Sequence, residues 1–119
     1  MKRKIEVTVG SLSDALDRFE QAWQRGMAGG SRRSEVRLTF ESLPVLLKNL
    51  TPARWQLLEA VKRSGPMSIN ETARLLERNY KNVHTDVTRL IDLGLIGRLP
   101  DHRIAVAWDT IAAEMKLAA

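Results

Sequence analysis

Cysteine is absent from the 119 residues, and the two histidines, His84 and His102, stand apart. Thiolate metal sites, disulfides and cysteine nucleophiles are thereby excluded, and two isolated imidazoles cannot by themselves assemble a metal centre. No metal and no other cofactor is expected. The chain also lacks a Gly-rich phosphate loop, a nucleophile elbow and a His-carboxylate cluster of familiar spacing. Asp14 and Asp17, the nearest approach to paired carboxylates, read as solvated helix charge beside Arg18. An enzyme is therefore not expected. No run of about 18 apolar residues occurs, and the first ten residues contain no long apolar stretch, so a soluble, cytoplasmic protein is expected. Aromatic residues make up only 5%, and Trp23, Trp55 and Trp108 fall at inward positions, where core packing is their simplest use.

What the sequence does contain is basic charge: 19 Lys+Arg against 14 Asp+Glu, a net charge of +5. A polyanionic partner fits that balance, although ordinary soluble proteins also carry it. With 44% hydrophobic residues, one domain with a small appendage can close a single core without staples.

Residues 4 to 9 alternate, with Ile5, Val7 and Val9 on one face of a strand that Gly10 and Ser11 end. From Leu12 the spacing becomes helical through Ala15, Leu16, Phe19, Ala22 and Trp23, and the helix should stop near Gly26. A Gly-rich basic loop with Arg32 and Arg33 leads to a second alternating run, Val36, Leu38 and Phe40. Residues 1–42 thus read as a β-α-β extension. Such a unit has too little cover and open strand edges, so it is expected to form a homodimer interface, the alternative being that it packs on its own second half.

A short helix carries Leu43, Leu46, Leu47 and Leu50, with Pro44 tolerated in its first turn. Thr51 and Pro52 then open a helix bearing Trp55, Leu57, Leu58 and Val61, which Gly65 and Pro66 end. Ser68 and Glu71 spell a capping box before Ala73, Leu75 and Leu76. A third helix runs from Tyr80 to Leu93 with Val83, Val87, Leu90 and Ile91 inward and Gly94 as its stop. Period 2 returns at Leu95 to Leu99 and Arg103 to Trp108, which predicts a β-hairpin about Pro100, Asp101 and His102. Asp109 is expected to cap a final short helix with Ile111, Ala112 and Met115.

Three short helices followed by a hairpin give an α+β winged helix-turn-helix over residues 43–119. The runs Leu50 to Leu58, Gly65 to Ile69, Ala73 to Leu76, Tyr80 to Val87 and Leu90 to Ile96 resemble the MarR-like winged-helix transcriptional regulators. The small prokaryotic DNA-binding or antitoxin-like group is the nearest in kind. That resemblance, over about residues 43 to 109, implies sequence-specific binding of double-stranded DNA, with a recognition helix about 79–93 in the major groove and a wing about 95–108 on the backbone.

A recognition helix needs a polar, non-acidic face for base edges and an apolar face for anchorage. Here Asn79, Lys81, Asn82, His84, Thr85, Thr88 and Arg89 lie off the apolar stripe. Asn82 is suited to adenine, Lys81 and Arg89 to guanine or phosphate, and a Thr methyl to thymine; Lys81, Asn82 and Thr85 are the expected base readers. Tyr80 is either a hydrophobic plug or a phosphate ligand. Asp86 should point away or pair with Arg89 at i+3. Arg98 and Arg103 place cations on the wing, while Arg54, Ser68 and Asn70 are candidate phosphate contacts. The other function open to such a chain is that of an antitoxin-type module that neutralises a partner toxin and regulates its own operon.

Overall fold

The computed structural model describes residues 2–10, 20, 21, 23 and 36–115. They form two compact units: Met1–Arg3 with Lys48–Asp109, and Lys4–Leu47 with Thr110–Ala119. The class is α+β. Most of the helix expected from Leu12 to Gly26, with the basic loop after it, lies outside the described residues; Glu20, Gln21 and Trp23 are helical.

One unit is built on a parallel three-stranded sheet. Strand β1 (Lys4–Val9) is central, flanked by β2 (Val36–Phe40) and by β5 (Thr110–Glu114). Ile5 and Val7 are buried as the alternation requires, but Val36 is exposed and only Phe40 of β2 is fully covered. Thr8 and Thr39, directly opposite in register, share a hydroxyl hydrogen bond of 3.0 Å. Helix α1 (Leu43–Asn49) follows, capped by Ser42, whose backbone carbonyl accepts from Leu46 at 3.1 Å; its last two residues, Lys48 and Asn49, belong to the other unit.

Strand β5 replaces the short helix expected after Asp109. Ile111 and Ala112 suit either period over so few residues, and the edge of β1 supplies the partner: Lys4 to Thr8 pair with Thr110 to Glu114. Asp109 is not a helix cap. Its Oδ2 accepts from the Arg3 N–H at 2.8 Å, and its own N–H donates to the Arg3 carbonyl at 2.8 Å. Thr110–Glu114 thus belong with the sheet.

In the other unit, α2 (Pro52–Ser64), α3 (Ile69–Leu76) and α4 (Tyr80–Asp92) precede an antiparallel hairpin, β3 (Gly97–Arg98) and β4 (Ile104–Ala105). Thr51 caps α2, and both halves of the Ser68–Glu71 capping box are made. Leu57, Leu58, Val61, Ala73, Val83, Val87, Leu90, Leu95 and Ile104 meet in the core. Thr72 is fully buried among them, and its hydroxyl is satisfied by the Ser68 carbonyl at 2.8 Å. The regular part of the hairpin is shorter than the alternation suggests, but Met67 extends it, exchanging backbone hydrogen bonds of 3.1 and 2.8 Å with Ile104. The start of α3 is thereby fastened to the hairpin.

The tryptophans are not core. Trp23 is 62% and Trp55 41% exposed, and half-buried Trp108 donates from Nε1 to the Gly94 carbonyl at 2.9 Å, with the Arg3 guanidinium 4.8 Å from its ring centre. The helical spacing of Trp23 and Trp55 and the strand position of Trp108 are compatible with an inward side, but a unit this small fills its interior with aliphatic side chains and leaves indole rings at the rim.

Candidate nucleic-acid interface

Helix α4 has two chemically distinct sides. Val83, Val87 and Leu90 recur at i, i+4 and i+7 and are completely buried, so the rod is held along one stripe. Lys81, Asn82, His84, Thr85, Thr88 and Arg89 are all exposed. Asn82 and Thr85 therefore face outward.

Asn79 starts this helix. Its side-chain oxygen accepts from the backbone N–H groups of Lys81 at 2.8 Å and Asn82 at 3.4 Å. That oxygen is committed to capping rather than to a ligand. The hydroxyls of Thr85 and Thr88 donate to the carbonyls of Lys81 and His84 at 3.0 and 2.9 Å. Each keeps its methyl and its oxygen lone pairs for an outside group. Tyr80 is 51% exposed, so it is not a plug in the core; it leans on His84 with ring centres 6.0 Å apart.

Asp86 does not pair with Arg89. Its Oδ1 accepts from Arg54 Nε at 2.9 Å and its Oδ2 from Arg78 Nη2 at 2.7 Å. The carboxylate side chain is only 14% exposed. Two guanidiniums from outside α4 draw the negative charge off the outward face and are themselves occupied by it. Arg54, a candidate phosphate contact by sequence, is spent further: its Nη1 donates to the Asn49 carbonyl at 3.0 Å. Arg89 instead donates from Nε to Asn49 Oδ1 at 2.6 Å. Sequence reasoning missed Asn49, whose signal was its place three residues after Leu46, a polar side chain on the buried stripe of a Leu-rich helix.

Ser68 lies at the start of α3 with Asn70, which is exposed. Both the hydroxyl oxygen and the N–H of Ser68 are used by Glu71, at 3.0 and 3.1 Å. The N–H of Ser68, then its hydroxyl, hold the Glu71 carboxyl below its ordinary value. A carboxylate at that helix start repels phosphate, which leaves Asn70 the better placed of the two. On the hairpin, Arg98 is exposed in β3, whereas Arg103 folds back and donates from Nε to Asp101 Oδ2 at 2.6 Å. The Arg103 N–H also binds Asp101, and this contact above all lowers the Asp101 pKa. Internal pairing therefore leaves Lys81, Arg89 and Arg98 as the cations of this region whose charge no carboxylate offsets in the described contacts.

Among the described residues no three His, Asp or Glu side chains gather as a metal site, and no helix is long and apolar enough to cross a membrane. An α+β chain with a capped, half-anchored polar helix and a basic hairpin is the class of protein these observations define. The family description HVO_A0114 matches residues 49–113, more than half of the chain, and the chain belongs to that family. No curated protein and no solved structure matches it.

Proposed function

We propose that this chain is a winged helix-turn-helix transcriptional regulator that binds double-stranded DNA, laying α4 in the major groove and the β3–β4 hairpin on the backbone. The observation that carries the reading is the division of α4. Its aliphatic stripe is fully buried, its exposed side carries Lys81, Asn82, Thr85, Thr88 and Arg89, and its central carboxylate is withdrawn by Arg54 and Arg78. The MarR-like resemblance supports the same assignment and carries with it a cytoplasmic location. Asn82 is suited to adenine, Lys81 to guanine or phosphate, and Arg98 to phosphate beside the groove.

A homodimer completes the reading. Strands β2 and β5 are the outer strands of the sheet among the described residues, the kind of edge through which a second copy can add. Two-fold symmetry would set two α4 helices about one turn of B-DNA, ~34 Å, apart on a palindromic operator. Exposed Leu43 and Leu47 on α1 favour protein docking by the sheet unit, and they equally support an antitoxin whose sheet unit grips a toxin. Co-purification with a toxin encoded beside the gene distinguishes that second reading.

Selection of duplexes from a random pool at a stated salt concentration tests the proposal. Asn82→Ala should relax preference at one base pair by about 1–3 kcal/mol, and Lys81→Ala should either do likewise or weaken all duplexes and flatten the salt slope. Unchanged affinity of both variants for selected and random DNA would overturn the assignment of α4.

A further inference from the structure

We infer that Asn49 is a positioning residue for DNA, holding the Arg89 guanidinium ready for a phosphate oxygen without cancelling its charge; this rests on the DNA-binding reading above. Arg89 is exposed, yet its Nε is fixed to Asn49 Oδ1 at 2.6 Å, across 40 residues of sequence. The anchor is itself fixed. Asn49 is 9% exposed, and its carbonyl accepts from Arg54 Nη1 at 3.0 Å while Arg54 Nε binds Asp86 at 2.9 Å. The relay Asp86–Arg54–Asn49–Arg89 begins and ends on α4, three residues apart.

Its two ends differ in charge. Arg54 meets a carboxylate, which it shares with Arg78 and which offsets part of its charge; Arg89 meets a neutral amide and keeps its full positive charge. A bond at Nε sets the plane of the fork and leaves the Nη donors pointing beyond it, the side with which arginine engages phosphate. An exposed arginine loses much side-chain freedom on being ordered, so ordering it before DNA arrives removes that cost from binding. A direct Asp86–Arg89 pair, the simple i+3 expectation, would have oriented the side chain but removed its charge.

The test is a double-mutant cycle on duplex affinity, measured on the full chain against selected and random DNA over a range of salt. Arg89→Ala should weaken both duplexes by a similar factor and lower the slope of log K against log salt by about 0.9, one phosphate contact. Asn49→Ala should weaken both by about fivefold, the scale of one hydrogen bond, and should add nothing in the Arg89→Ala background. Asn49→Asp keeps an acceptor of the same shape but adds charge. It should hold the melting temperature and still weaken binding, with a lower salt slope, which a merely structural role does not predict. Should Asn49→Ala fail to fold, the Asn49→Asp and Arg89→Ala cycle decides alone. Additive losses, or full affinity in Asn49→Asp, would overturn the role of Asn49. No binding by the parent chain to any duplex would overturn the DNA-binding reading itself.

Discussion

Arg78 Nη2 donates to Asp86 Oδ2 at 2.7 Å, reaching from the turn before α4 to the middle of that helix. Arg54 closes the other oxygen from α2, so a single carboxylate joins two helices and the turn between α3 and α4. Arg78 Nη1 is buried with no hydrogen-bond partner among the described residues. The contact is therefore asymmetric: the acid is fully used, while one of its two bases is not.

Removing the acid should cost more than removing that base. Asp86→Ala leaves two guanidiniums facing each other and is expected to destabilise the fold by about 3 kcal/mol, whereas Arg78→Met takes an orphaned donor away with the charge and should cost less than half as much. Urea denaturation of the two variants checks the order. Equal losses, or the reverse order, would contradict the account.

The two sides of α4 should respond differently to truncation. Leu90→Ala empties a fully buried position and should cost about 3 kcal/mol, whereas Thr85→Ala, on the exposed side, should change stability by less than about 0.5 kcal/mol. Thermal melts of both variants, without DNA, check this. A Thr85→Ala loss as large as that of Leu90→Ala would mean that Thr85 packs inside.

The end of α3 stores backbone strain. Glu77 sits in the left-handed region at φ 53°, where its N–H closes the helix on the carbonyls of Ala73 and Arg74. Glycine adopts that conformation without a Cβ penalty, so Glu77→Gly should stabilise by about 0.5–1 kcal/mol despite its looser unfolded chain. A lowered melting temperature would show instead that the Glu77 side chain contributes more than its backbone costs.

Acid should loosen the chain through particular carboxylates. The Ser68 N–H holds the Glu71 carboxyl below its ordinary value of 4.5, and the Arg3 N–H, followed by Lys62, holds that of Asp109 below 3.8. A carboxyl depressed in the folded state contributes stability that is present above its ordinary value and lost as pH falls through its folded value. Stability should thus hold near neutrality and decline below about pH 4.5, less steeply in Glu71→Gln. An unchanged acid slope in that variant would contradict the role given to the capping box.

Local signals were legible in the sequence and distant ones were not. Ser68 and Glu71 announce a capping box three residues apart, Thr51 and Pro52 announce a helix start, and Val83, Val87 and Leu90 announce a buried stripe, because each depends only on neighbouring residues. Strand β5 was hidden because Thr110 to Glu114 has no period of its own. Its state is decided by β1, about a hundred positions earlier. Asn49 and Arg54 were hidden for the same reason, as their partners on α4 lie 40 and 32 positions away. The tryptophans misled because helical or strand spacing states which residues share a side, not whether that side is covered.

The most direct measurement is backbone amide mapping by NMR as a selected duplex is titrated into the protein. The account predicts that the largest shifts fall at Lys81, Asn82, Thr85 and Arg89, with a second group around Arg98, and that strands β1, β2 and β5 move little. Shifts confined to those strands, or a spectrum that no duplex perturbs, would contradict it.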